Sequence, residues 1–160
     1  NELIGYRILL IPSKKNYYEF VTALEKIIVN NINYKFFEFN ELQYILPVER
    51  KKDDGSLKGS LVMLEEWMNT NYFSSNSKGQ QAFKDYVMST LRKIRQIRQI
   101  PAHDMYSNQH DKSLYREQNE LIAKTYNSIN QLRFIFKCHP ANKSIEIPNI
   151  LKDEEKIVLY

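Results

Sequence analysis

The sequence predicts a mainly α-helical protein, a helical bundle preceded by a small N-terminal α+β extension. Three observations carry that expectation. Apolar residues recur every three or four positions through long stretches, prolines or polar runs end those stretches, and only short segments show the alternation of a strand. The 160 residues suit one domain, or one domain with a small appendage, and 42% hydrophobic with 26% charged residues excludes a disordered tail.

The first stretch, Tyr6-Arg7-Ile8-Leu9-Leu10-Ile11, is short and closed by Pro12-Ser13, which predicts a strand or an extended arm. From Asn16 onward, Tyr17, Phe20, Val21, Leu24, Ile27 and Ile28 fall at helical spacing, and Asn30-Asn31 ends the pattern, so a first helix is expected there. Tyr34 to Phe39 alternates aromatics with Lys35 and Glu38 and reads as a strand. Asn40 to Leu46 reads as a short helical turn stopped by Pro47, and Glu49 to Gly55 as a charged loop with its turn at Asp54-Gly55. Residues 1–55 thus form the expected extension.

Residues 56–140 are more regular and form the expected bundle. Leu57, Leu61, Leu64, Met68 and Tyr72 mark a second helix that ends before Ser74-Ser75-Asn76-Ser77. A third runs from about Gly79 to Ile100, with Phe83, Val87, Leu91, Ile94 and Ile97 on one side. It stops at Pro101, which lacks an amide proton and pushes Ile100 out of helical geometry. Leu114, Leu121, Ile122, Ile129, Leu132 and Phe136 give a fourth helix from about Lys112 to Lys137, with Asp111 placed to cap it and Pro140 closing the bundle. In the tail, 141–160, Ile145-Glu146-Ile147-Pro148 and Ile157-Val158-Leu159-Tyr160 are expected to add edge strands.

Composition narrows the function. The four glycines, Gly5, Gly55, Gly59 and Gly79, are too scattered for a P-loop or Rossmann phosphate cradle. Cys138 is the lone cysteine and no basic–apolar–small leader opens the sequence, so a reducing, cytoplasmic setting is expected. No apolar run reaches membrane-spanning length, and no membrane partner is expected. A net charge of +4 and a pI of about 9.0 favour an acidic partner such as nucleic acid. The opening Asn1-Glu2-Leu3 lacks an initiator methionine, which suggests a piece of a longer polypeptide with a further domain.

The informative segment is Arg92-Lys93-Ile94-Arg95-Gln96-Ile97-Arg98-Gln99-Ile100-Pro101-Ala102-His103. On a helical wheel Arg98 falls between Val87 and Leu91, so it is expected to point inward, while Arg92 and Arg95 point to solvent. An inward guanidinium needs a partner or a wet cleft. One reading is a structural bridge to Glu65, Glu66 or Glu120. The other pairs Arg98 with His103, which the break at Pro101 swings back over the helix end. Histidine moves protons near neutral pH and arginine offers a planar cation matched to phosphate, a combination suited to phosphodiester cleavage.

Arg98-Gln99-Ile100-Pro101-Ala102-His103 resembles the Arg-x4–6-His motif of the HEPN (higher eukaryotes and prokaryotes nucleotide-binding) superfamily, whose helical bundles carry the motif just before the last long helix. The resemblance spans about Leu57 to Pro140. It implies a metal-independent, cofactor-free endoribonuclease, a homodimer with both motifs meeting across the interface, at work in toxin–antitoxin, anti-phage or RNA-processing systems. Arg98 would then stabilise the charge on the phosphorane-like transition state and His103 would act as general acid or base while the ribose 2′-hydroxyl attacks. Gln99 stands where the family commonly has asparagine, aspartate or histidine. Arg92, Lys93 and Arg95, with Lys84, would form a ridge gripping RNA phosphates, and Tyr106 or Tyr115 would be available for base stacking.

Competing readings are weaker. Arg133 to His139 also fits the motif spacing, but sits around apolar Phe134-Ile135-Phe136. His103-Asp104 and His110-Asp111 have ligand chemistry for a divalent ion but lack further ligands at useful spacing, so no metal is expected. Cys138 beside His139 lacks a third partner for nucleophilic catalysis. The alternative function is a non-catalytic HEPN-like interaction or nucleotide-binding module, in which Arg98 and His103 hold the bundle together.

Overall fold

A computed structural model describes residues 13–38, 45–72, 78–99, 111–142 and 144–146. Among these the chain is mainly helical: α1 (Lys14–Asn31), α2 (Ser60–Asn71), α3 (Lys78–Arg98) and α4 (Lys112–Lys137), with short 3-10 turns at Tyr34–Phe36 and Pro140–Asn142. The ends follow local chemistry. Ser13 accepts the Asn16 N–H at 3.3 Å to cap α1, and Asp111 accepts the Ser113 N–H at 2.8 Å to cap α4. α4 begins and ends where the apolar spacing places it.

The stretch read as a strand at Tyr34–Phe39 is instead a 3-10 turn over Tyr34–Phe36. The Asn33 side chain accepts the Lys35 N–H, and the Phe36 and Phe37 amides bond back to the Asn33 and Tyr34 carbonyls, so local bonds satisfy a backbone that a strand would have to pair elsewhere. Ile45 and Leu46, read as the end of a helical turn, are not helical. Asn71 of α2 holds them there: its amide oxygen accepts the Leu46 N–H at 2.7 Å and its amide nitrogen donates to the Leu46 carbonyl at 2.9 Å. The Asp54-Gly55 turn forms as expected, with Gly55 at φ +79°, a backbone region that disfavours any Cβ, and an antiparallel bridge from Lys51 to Leu57 across it. Two hydrogen bonds from Ser56 hold the Asp54 carboxyl below its usual range. The expected strands at 6–11 and 157–160 lie outside the described residues, as do Ile147 and Pro148.

α3 is the central element, packing on α1, α2 and α4. Its earlier half buries Val87, Met88 and Leu91 with Leu61, Met63, Leu64, Trp67 and Met68 of α2 and Leu132 and Ile135 of α4. Its later half buries Ile94 and Ile97 with Tyr17 and Val21 of α1 and Leu114 and Leu121 of α4. This pairing runs α3 antiparallel to α4, and Ile28 of α1 touches both groups. Residues 1–55 therefore contribute Tyr17, Val21, Phe37, Ile45 and Val48 to the same core. At one end Trp67 stacks on Phe136 with ring centres 5.6 Å apart, and Phe36, Phe37, Tyr72 and His139 close around it. Among the described residues no helix is long and apolar enough to cross a membrane.

Candidate functional site

Arg98 is the last residue of α3, one turn beyond Ile94 and next to Ile97, where the core ends. Its azimuth is the one the wheel assigns, but it stands at the helix terminus, where the side chain is 46% exposed and not buried in the apolar face. Its acid partner is also different from those expected. Arg98 Nη1 donates to Glu25 Oε1 at 3.2 Å, and Glu25, on α1, is only 8% exposed. Glu65 instead pairs with Arg92, Glu66 with Lys58 at 2.7 Å, and Glu120 lies 4.0 Å from Arg116 within α4. The reason is the packing of α1 directly on α3, which brings a carboxylate from outside the expected bundle.

The pair has a directional consequence. A guanidinium presents a rigid fork of five donors, and among the described residues Glu25 engages it through Nη1 alone. Gln99 follows immediately; its side chain is exposed, and its N–H bonds the Arg95 and Gln96 carbonyls as the helix closes. His103, the proposed proton-transfer residue, lies outside the described residues, together with Pro101, Asp104, Tyr106 and His110.

The expected phosphate ridge divides. Lys84 is buried and donates to Asn69 Oδ1 at 2.8 Å, so it ties α3 to α2 and leaves the ridge. Arg95 is exposed and lies over Gly59 at the start of α2, where an added Cβ would sit 3.6 Å from its Nη1. Lys93 lines an open groove of about 620 Å³ between α3 and α4, and Arg92, whose guanidinium pairs with Glu65 of α2, borders it as well. Lys124 of α4 lines the opposite wall from Gln96 and Ser89 of α3, and among the described residues no acidic side chain lines the groove. Among the described residues Lys93 and Lys124 form no ion pair, so the groove carries unneutralised positive charge. Lys124 and Gln96 were not singled out by sequence because a lysine or glutamine on the polar face of an amphipathic helix is unremarked until the partner helix is known.

His139, the second motif hit, is 1% exposed in the aromatic cluster, 4.8 Å from the Phe36 ring centre, and burial lowers its pKa. Arg133 bonds Asn130 Oδ1 at 3.0 Å. These two residues belong to the end of α4 and its packing. Cys138 is an exposed free thiol at the α4 C-cap. Among the described residues no group of three or more His, Cys, Asp or Glu side chains is placed to hold a metal ion. The chain matches no protein-family model, no curated protein sequence and no solved structure.

Proposed function

We propose that the chain is a HEPN-like helical domain acting as a metal-independent endoribonuclease, with Arg98 and His103 as its catalytic pair. The observation that carries the reading is the half-exposed Arg98 guanidinium at the end of α3, anchored by the buried Glu25 and five residues ahead of His103. A cation held at its place by a carboxylate before substrate arrives needs less reorganisation when charge develops on phosphorus. In the reaction the ribose 2′-oxygen bonds to phosphorus and the bond to the 5′-oxygen breaks, leaving a cyclic phosphate and a 5′-hydroxyl. His103 takes or gives the proton and Arg98 stabilises the phosphorane oxygens. Arg92, Lys93 and Lys124 supply the groove that draws in the RNA backbone. In the same reading residues 1–55 are an α+β extension, the active form is a cytoplasmic homodimer, and an antitoxin partner controls it.

A second reading has its own support. The Arg98–Glu25 pair joins α3 to α1, which is what a non-catalytic interaction module would require of that arginine. Incubation of the full chain with mixed RNAs in EDTA separates the two. Cleavage with cyclic phosphate ends, lost in folded Arg98→Ala and His103→Ala variants, supports the nuclease; intact RNA with wild-type protein supports the module.

A further inference from the structure

We propose that the pocket between the end of α1, the Tyr34–Phe36 turn, α2 and α4 binds a free, uncharged heteroaromatic ring of the nucleobase or nucleoside kind. This site is separate from Arg98 and its groove, and stands or falls independently of the ribonuclease reading. Its volume is about 270 Å³, just under the roughly 300–1,000 Å³ of sites for drug-sized ligands, which sets the occupant at the size of one or two fused rings. The buried Phe37, Leu64 and Leu132 form its floor, and Phe36 and Phe136 offer aromatic surface on its sides.

The mouth is polar but uncharged. Asn31, Asn33 and Asn142 stand there, and among the described residues no charged side chain lines the pocket. Each asparagine amide is already fixed in orientation by a bond to the backbone. Asn31 Nδ2 donates to the Ile27 carbonyl at 2.6 Å and Asn142 Nδ2 to the Phe136 carbonyl at 2.8 Å, which leaves both amide oxygens as acceptors. Asn33 is held the other way: its Oδ1 accepts the Lys35 N–H at 3.1 Å, which leaves its amide nitrogen as a donor. Apolar walls with acceptors and a donor at the mouth match a planar ring that carries an amino group beside a ring nitrogen, as adenine and cytosine do. Among the described residues no cation lines the pocket, which disfavours a ring carrying phosphate, and hence a base still within an RNA strand.

The chain contains its own reporter. Trp67, the one tryptophan, has its ring centre 5.4 Å from that of Phe36, 5.6 Å from Phe37 and 5.6 Å from Phe136, all three of which line the pocket. Titration of the full chain with adenine, adenosine and cytosine, exciting tryptophan alone, is expected to give a saturable change in emission, with methyl NMR shifts at Leu64 and Leu132. Asn31→Ala should weaken binding roughly 3- to 10-fold, the worth of one neutral hydrogen bond. Asn31 is exposed, so this variant folds even where Asn33→Ala disturbs the turn. Emission that never saturates, equal affinity for toluene with no effect of Asn31→Ala, NMR shifts confined to other sites, or binding only of a base within an oligonucleotide would overturn the proposal.

Discussion

Replacing Arg98 with alanine removes the charge that faces Glu25, and the two partners' unequal burial sets the cost. Removing one partner of a fully buried pair costs roughly 3–5 kcal/mol, whereas an exposed pair is worth about 0–1 kcal/mol. With Arg98 46% exposed and Glu25 8% exposed, the stranded carboxylate is nearly enclosed but reaches water through the space the guanidinium vacates, which places Arg98→Ala near ~2 kcal/mol. That corresponds to a fall in Tm of about 4–8 °C for a chain of this size. Glu25→Gln keeps a neutral acceptor and leaves a half-exposed cation, so it should cost about 1 kcal/mol or less. In the double variant no buried charge is stranded, and its cost should fall short of the sum of the single changes by about 1 kcal/mol. Urea denaturation of the four proteins measures the cycle. Additivity within about 0.3–0.5 kcal/mol would refute the coupling and release Arg98 from any role in holding α1 on α3.

Other consequences are checked separately. Ser128 is fully buried in α4 with its hydroxyl unbonded among the described residues, so Ser128→Ala should stabilise the fold by about 1 kcal/mol, read by denaturation. His139 has a pKa lowered by burial from 6.5, so the unfolded chain takes up a proton first; stability is full above pH 6.5 and falls as pH drops below it, and this slope should vanish in His139→Phe. On the proposed RNA-binding groove, Lys93→Ala and Lys124→Ala should each weaken RNA binding and reduce the slope of log affinity against log salt by about 0.7–0.9, the effect of losing one phosphate contact. An unchanged slope in both would place the RNA elsewhere.

The elements with sustained periodicity were legible in the sequence and the short aromatic ones were not. Asp111 followed by Leu114 and Leu121 marked the start of α4, because a cap and a buried stripe are both local signals. Tyr34–Phe37 carried an alternating pattern, yet the choice between strand and turn rested on Asn33 closing a local bond and on the Phe36 and Phe37 amides bonding back to the Asn33 and Tyr34 carbonyls. At the candidate site the azimuth of Arg98 was legible; its exposure was not, since that depends on where the core ends along α3. Glu25 went unnoticed because it sits 73 residues away, on a helix assigned to an extension, and only tertiary packing brings the two together. Lys124 was hidden for the same reason.

Arg98→Lys tests the catalytic assignment most directly, because lysine keeps the positive charge toward Glu25 but loses the planar fork that suits a phosphorane. The measurement is the rate of RNA cleavage in EDTA by wild type and variant, alongside their unfolding curves. The expected result is stability within about 1 kcal/mol of wild type and cleavage slowed by about 10²–10³, the loss typical of one transition-state donor. Cleavage by Arg98→Lys at the wild-type rate would contradict the assignment, and no cleavage by the wild-type chain would contradict the nuclease reading itself.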